Sequence, residues 1–341
     1  MRSLKHGTTS PQNAEEPKRF KMRRGQRSTP AGEHRPVLLQ EVLGTLQPQP
    51  GDVVADCTVG WAGHALELLQ RVGPTGRLVG IDFDIENLPR ARERLETLGG
   101  TFSLRQGNFA GLSAILAEEG LPGVDVLIAD LGMSSMQVDN AERGFSYRRD
   151  GPLDMRMDQS RGRTAAQILA AISEEDLAAA LREFGDEPDA ELIAKAIVAA
   201  RQQHPLERTA DLSRVILDAT QEKRQGAAWR LHPMPQRWNL HPAARTFQTL
   251  RILVNRELAN LEQLLRVLPL CLQPGGRAAI ISFHSGEDRL VKTALRAGHL
   301  AGTYSQVSSE PLRGTSEECA ANPRSRSAKL RWAKKASQET R

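Results

Sequence analysis

The chain has 341 residues and a formal net charge of +5, from 46 Lys or Arg against 41 Asp or Glu. Its composition, 39% apolar and 26% charged, is ordinary for a globular protein, and no apolar run approaches the roughly 18 residues of a membrane helix. The N-terminal stretch MRSLKHGTTSPQNAEEPKRFKMRRGQRS lacks the apolar h-region of a secretory signal, so the expected location is the cytoplasm, with no membrane partner.

The three cysteines, Cys57, Cys271 and Cys319, are odd in number, far apart and without C-x-x-C spacing. That pattern speaks against a disulfide framework and against a zinc site, and no metal is expected. The charge is unevenly spread. Residues 1–35 hold nine Lys or Arg against three Glu, and residues 324–341 hold seven against one. Basic ends of this kind fit a polyanion partner, or a solvated tail that aids solubility.

In chain order, residues 1–33 have no periodicity and read as a basic disordered tail, with the fold beginning near His34. Short apolar runs then alternate with amphipathic segments. VVAD (53–56), RLVGID (77–82), FSLRQ (102–106) and VDVLIAD (124–130) are expected strands, and 64–72, 86–98 and 111–118 are expected helices. This alternation predicts a parallel sheet of βαβ units. The pattern breaks after Asp130. AERGFSYRRDGPLDMRMD (141–158) fits neither period, and 164 to about 225 reads as several helices, one of them capped by Ser173 with Asp176 three residues on. A Pro- and His-rich linker (232–242) follows. One long helix then carries Phe247, Leu250, Val254, Leu258, Leu261 and Leu265 on a single stripe, ahead of LQPGGR and a strand at 277–283. The predicted fold class is α/β, a doubly wound sheet over 34–138 and 240–341, with a helical insertion at 139–239.

Doubly wound sheets bind ligands beyond the carboxyl ends of their strands. The first such turn is DCTVGWAGH (56–64), where Gly60, Ala62 and Gly63 allow a ligand close to the backbone, or simply serve the turn. The second strand ends in Asp82, whose two oxygens suit a ribose diol. No G-x-G-x-x-G is present to hold a pyrophosphate, which favours a nucleoside ligand without phosphates, such as S-adenosylmethionine, over NAD. After the third strand, Asn108 or Phe109 lies where an adenine ring would pack, although Phe109 is equally suited to anchor the next helix. The fourth strand delivers Asp130 behind a run of apolar residues, as a functional acid or as a helix cap.

Seven stretches together resemble the ribosomal RNA small subunit methyltransferase H family. They are HRPVLLQEV (34–42), DCTVGWAGH, GIDFD (80–84), DLGMSSMQVDNAERGFSYRRDGPLDMRMD (130–158), HPAARTFQTLRILVNREL (241–258), LQPGGRAAIISFHSGEDRLVK (272–292) and NPRSRSAKLRWAKK (322–335). The resemblance implies a Rossmann-like class I methyltransferase that takes methyl from S-adenosylmethionine to the exocyclic N4 of a decoding-region cytidine of 16S rRNA, within the small ribosomal subunit. It places Ala62, Gly63, His64, Asp82, Phe109, Asp130 and Gln137 at cofactor-contacting positions. Two positions depart from the family pattern: Ala62 stands where a glycine is usual, and Gly286 where leucine is common.

For the chemistry, Asp130 is the expected acceptor of a hydrogen bond from the amine, with His284 or Ser285 as an aid. In the 141–158 loop, Arg143, Arg148, Arg149 and Arg156 are expected to meet RNA phosphates and Phe145 and Tyr147 to stack on bases. The competing expectation is a loop locked by its own Arg–Asp pairs, such as Arg156 with Asp150 or Asp154. The inserted helices are expected to grip RNA or to buttress the sheet. Two rival functions differ in class. A DNA amino-methyltransferase is disfavoured because ADLGMSS lacks the paired prolines of that motif; a non-catalytic RNA-binding protein on a methyltransferase scaffold is distinguished by whether it binds cofactor. The sequence leaves a homodimer open.

Overall fold

The protein is described here by a computed structural model covering residues 35–221 and 241–337. The basic tail (1–33) and most of the 232–242 linker lie outside the described residues.

Seven strands form one sheet: β1 (Val53–Asp56), β2 (Arg77–Asp82), β3 (Thr101–Gln106), β4 (Val124–Asp130), β5 (Leu272–Ser282), β6 (Tyr304–Val307) and β7 (Lys329–Lys335). Their order is β3-β2-β1-β4-β5-β7-β6. The first five run parallel, and β7 is antiparallel to both β5 and β6. Because each strand points alternate residues to opposite faces, β4 feeds two cores at once. Leu127 and Ala129 enter one cluster, and Val126 and Ile128 the other. Helices α1 (Leu39–Leu46), α2 (Gly63–Val72) and α3 (Leu88–Glu96) cover one face; α4 (Leu112–Glu118) lies on the other. Both faces being covered, the strands can be continuous apolar runs.

The remaining helices before β5 are α5 (Ser135–Asp139), α6 (Ala165–Ala171), α7 (Glu174–Gly185), α8 (Ala190–Gln203), α9 (Thr209–Ala219), α10 (Ala244–Asn255) and α11 (Glu257–Cys271). Helices α6 to α10 build a third core around Leu177, Leu181, Ile193, Leu212, Phe247 and Leu250. The single long helix expected at 247–265 is therefore two, with different duties: α10 packs on α6 and α7, whereas α11 places Leu261, Leu264 and Leu268 against the sheet. The break is local. Arg256 takes φ 52°, and Asn255 clamps the end of α10, its Nδ2 donating to Met155 O and its Oδ1 accepting from Met157 N, each at 2.8 Å. Beyond β5 come α12 (Ser285–Leu300) and α13 (Ser316–Ala321). Among the described residues no helix is long and apolar enough to cross a membrane, and no group of three or more His, Cys, Asp or Glu could hold a metal.

Arg256 is exposed and pays the left-handed penalty of about 1–2 kcal/mol without a packing return. Arg256→Gly is expected to stabilise the protein by about 0.5–1 kcal/mol after the extra unfolded-state entropy of glycine is deducted. Thermal or urea unfolding checks this; a loss of stability would show that the arginine side chain contributes.

Candidate active site

The strand order reverses between β1 and β4, which opens a crevice at the carboxyl ends of the parallel strands. A pocket occupies it, with about 1040 Å³ of empty space counted out to its open mouth. Its floor is the β1 turn (Gly60, Gly63, His64), its sides the tips of β2 and β3 (Asp82, Asp84, Asn108, Phe109), and its far wall Asp130 to Gln137. The β1 turn closes tightly through left-handed residues at Gly60 (φ 50°) and Ala62 (φ 60°). Gly63 and His64 face the pocket as expected. Ala62 does not: its methyl is fully buried in the apolar cluster beneath α2, so only its backbone shapes the turn. Phe109 packs on the sheet core, as the anchoring expectation had it, and also lines the pocket.

Three aspartates crowd the tips of adjacent strands. Asp82 spends three of about four lone-pair sites internally, accepting from Gly60 N (2.7 Å), Asp84 N (2.8 Å) and Asn87 Nδ2 (3.1 Å). Burial pushes its carboxyl up to about 6, against the pull of those bonds. Asp56, at the end of β1, is pushed up to about 7 by burial, with the charges of Asp130 and Asp82 adding to the effect. Asp130 is also raised, by burial first and then by Glu287, while His64 and Arg324 pull it down. Unlike Asp82, it keeps an acceptor in reserve. Asp130 Oδ1 is buried and has no hydrogen-bond partner among the described residues. Its backbone is held by Asp130 N donating to Thr58 Oγ1 at 2.7 Å. His64 Nε2 bonds Val37 O at 2.9 Å, and because a carbonyl only accepts, that nitrogen carries a hydrogen. Nδ1 therefore faces Asp130 Oδ2 at 3.9 Å, an ion pair whenever the ring holds its second proton.

The other pocket walls were not read from the sequence as site residues. Asn255, Glu257 and Asn260 enter from the α10–α11 break, Glu287 from α12, and Arg324 from the segment before β7. Glu257 is held by Arg251 through two bonds of 2.8 and 2.9 Å. Glu287 accepts from Phe283 N at 2.8 Å, and its other oxygen lies 3.2 Å from His284 Nε2, at ion-pair distance without hydrogen-bond alignment. His284 thus stands behind Glu287 and does not line the pocket. Ser285 is further removed: its hydroxyl donates to Asp186 Oδ2 at 2.6 Å, tying α12 to the helical unit. Of the three residues expected to do chemistry, the pocket contains Asp130 alone.

Gln137 and Arg143 converge on Asp84. Gln137 Nε2 donates to Asp84 Oδ2 at 2.8 Å, while the residue also forms a capping box with Ser134. Arg143 Nη1 sits 2.8 Å from both Asp84 Oδ2 and Glu86 Oε2, and Nη2 donates to the carbonyls of Arg156 and Met157. With 3% of its surface exposed, Arg143 is not available to a phosphate, and that expectation is corrected. Most of the loop follows the same logic. Arg156 is locked to Asp154 by two bonds of 2.8 Å, as the competing expectation had it. Phe145 is buried in the helical core, and Tyr147 stacks on His241 (4.6 Å between centroids, 17° between planes) with Phe247 at its edge, so neither ring is open to a base. Arg148 remains exposed, lying over the Tyr147 ring. The fold of the loop demands glycine twice: an added Cβ would stand 2.2 Å from Pro152 O at Gly144 and 1.9 Å from Ala141 O at Gly151. Met157, at its end, forms part of the pocket wall.

The family model for the MraW methylase family matches residues 31–336. A curated relative named ribosomal RNA small subunit methyltransferase H, from Geobacter sp. (strain M21), is 44% identical over 317 residues, covering 89% of this chain and 98% of the relative. A protein of the same name from Acidobacterium capsulatum is 44% identical over 306 residues, again covering 89% and 98%. Among solved structures, a SAM-dependent O-methyltransferase from Thermotoga maritima aligns at 12% identity with a TM-score of 0.37, over 91% of this chain and 69% of that one. Matched to the family model along nearly its whole length, and to these relatives almost end to end, the chain belongs to the MraW methylase family.

Proposed function

We propose that the chain methylates the exocyclic N4 of a cytidine in the decoding region of 16S rRNA, in the small ribosomal subunit, with S-adenosylmethionine as methyl donor. The observation that carries this reading is that Asp130, whose buried Oδ1 has no partner among the described residues, lines a pocket together with four more carboxylates, Asp82, Asp84, Glu257 and Glu287. Against these the pocket sets Arg324 and the ionisable His64. Such a lining repels the phosphates of a dinucleotide and suits a cation. The relatives' name supports rRNA as substrate, and the resemblance of residues 130–158 and 272–292 supports the cytosine amine.

The cofactor supplies an electrophilic methyl group on a sulfonium. Gly60 and Gly63 leave room for it against the backbone, Phe109 offers a flat apolar surface, and Asp82 and Asp84 stand at the ribose end. A cytosine amine is a weak nucleophile because its lone pair is delocalised into the ring, so alignment is the main lever, worth up to about 7–11 kcal/mol. Asp130 Oδ1 would accept one N–H of the amine and so turn its lone pair toward the methyl. As the N–C bond forms, the methyl–sulfur bond would break with its electron pair left on a neutral thioether, and Asp130 would take the proton given up by the nitrogen. The burial that raises its pKa makes it the better acceptor. Leu131, Met133, Met157 and Leu261 keep water from the reacting atoms.

Incubating the protein with labelled S-adenosylmethionine and small subunits from cells that lack it, then mapping the label, tests the assignment. Label on a cytidine N4 of the decoding region is expected; label on another atom, or none, defeats it. Asp130→Asn should lower kcat by about 10²- to 10⁴-fold while calorimetric cofactor affinity changes little. Undiminished turnover would remove Asp130 from the chemistry. The Asp56 charge has a stability consequence. Its folded pKa of about 7 exceeds the ordinary 3.8, so its stabilising contribution is complete below about pH 4 and is lost as pH rises through 7. Asp56→Asn should therefore melt higher than wild type at pH 8, by about 2 °C or more, with the gap closing toward pH 4; a pH-independent difference would contradict this. Arg143→Gln should cost about 3–5 kcal/mol of stability by stranding Asp84, while the salt dependence of rRNA binding stays as in wild type. A flattened salt dependence would return Arg143 to the RNA interface.

A further inference from the structure

The helical insertion, expected to grip RNA or to buttress the sheet, is acidic. Residues 164–221, which span α6 to α9, carry eleven Asp or Glu against five Lys or Arg. An acidic surface of that kind repels a phosphate backbone. Residues 285–337 reverse the balance, with ten Lys or Arg against five acids. Within them, Arg289, Lys292 and Arg296 stand at i, i+3 and i+7 on α12, all three exposed. That spacing puts them on one helical face, successive side chains about 5–6 Å apart. No ion pair engages any of the three among the described residues. The two acids of α12 are committed elsewhere: Glu287 lines the pocket, and Asp288 pairs with Lys329 at 2.9 Å and Arg331 at 2.6 Å.

We infer that this exposed face of α12 is the phosphate track along which the rRNA strand approaches the pocket. The inference rests on the rRNA reading above. Position follows from the fold. Glu287, in the first turn of α12, lines the pocket, so the stripe, on the opposite and exposed side of the helix, starts within about one turn of the site along the helix axis and extends away from it by about 1.5 Å per residue. A strand lying on Arg296, Lys292 and Arg289 in turn is delivered to the pocket mouth. A lipid surface is a poor fit, because a membrane-bound amphipathic helix inserts its apolar face, and here Val291 and Leu295 are buried against the sheet. The contacts are to the backbone and carry no sequence information, so they supply affinity and register while the pocket selects the base.

The test is filter binding of protein-free small-subunit rRNA to wild-type protein and to R289Q/K292Q/R296Q, between about 50 and 200 mM salt. With three phosphate contacts at about 0.7 each, the slope of log K against log salt should become shallower by about 2 in the triple variant. Its melting temperature and calorimetric S-adenosylmethionine binding should match wild type, since all three side chains are on the surface. A K195Q/R214Q variant, altered only on the insertion, should keep the wild-type slope. A wild-type slope retained in the triple variant would overturn the track alone, as would an equal loss in the insertion variant. A wild-type protein whose rRNA binding ignores salt would overturn the rRNA reading and the track with it.

Discussion

Everything at the carboxyl end of this sheet is arranged around carboxylates that have lost their water. Asp56, Asp82 and Asp130 end three neighbouring strands, β1, β2 and β4, and burial raises the pKa of each. A protein tolerates such a cluster only if donors are fixed in place for it. The left-handed β1 turn aims Gly60 N at Asp82, the next turn aims Asp84 N at the same carboxylate, and Thr58 N serves Asp56. Asp84 in turn recruits Gln137 and Arg143, which ties the segment after β4 back to the tip of β2. The loop that carries Arg143 to that buried position packs its own backbone too closely for a side chain at Gly144 or Gly151. One acceptor in the cluster, Asp130 Oδ1, is left unmatched among the described residues, and Asp130 is one of the residues that line the pocket.

Division of labour follows from that arrangement. The sheet and its first turns hold the charged floor. The loop and the α10–α11 break supply walls, through Met157 on one side and Asn255, Glu257 and Asn260 on the other. Asn255 joins the two, since its side chain bonds the backbone of both Met155 and Met157 while its own position ends α10. The helical unit is tied to the sheet unit where Asp186 accepts from the hydroxyl of Ser285, and Phe145 and Tyr147 pack in its core.

Much of the sheet was legible in the sequence because β1 to β4 and the helices between them obey simple periods, and the acids at strand ends stand out against apolar runs. Asp82, Asp130, Gly63 and Phe109, read from the strand ends, line one pocket, together with His64 and Gln137, which only the family resemblance singled out. The exceptions have physical causes. Arg256 breaks a continuous apolar stripe without glycine or proline, so periodicity alone reads one helix where there are two. The 141–158 loop carries the composition of an RNA clamp, yet composition cannot distinguish an arginine that meets phosphate from one that meets a buried aspartate 59 residues earlier in the chain, the separation of Arg143 and Asp84. Glu257, Glu287 and Arg324 reach the pocket from more than a hundred residues beyond Asp130, a juxtaposition that only the closed sheet creates. Glu287 had a local signal in its spacing from His284, but the histidine reads as the pocket residue there, whereas the neighbouring acid lines the pocket.

If the proposed function holds, the unmatched oxygen of Asp130 lies beside the methyl group of bound S-adenosylmethionine. A crystal structure with S-adenosylmethionine bound tests it most directly. The nitrogen of an attacking amine must lie about 3 Å from both the methyl carbon and the accepting oxygen, so the methyl should be within about 6 Å of Asp130 Oδ1, with the adenine beside Phe109. A bound cofactor whose methyl points away from Asp130, or one seated outside this pocket, would contradict the account.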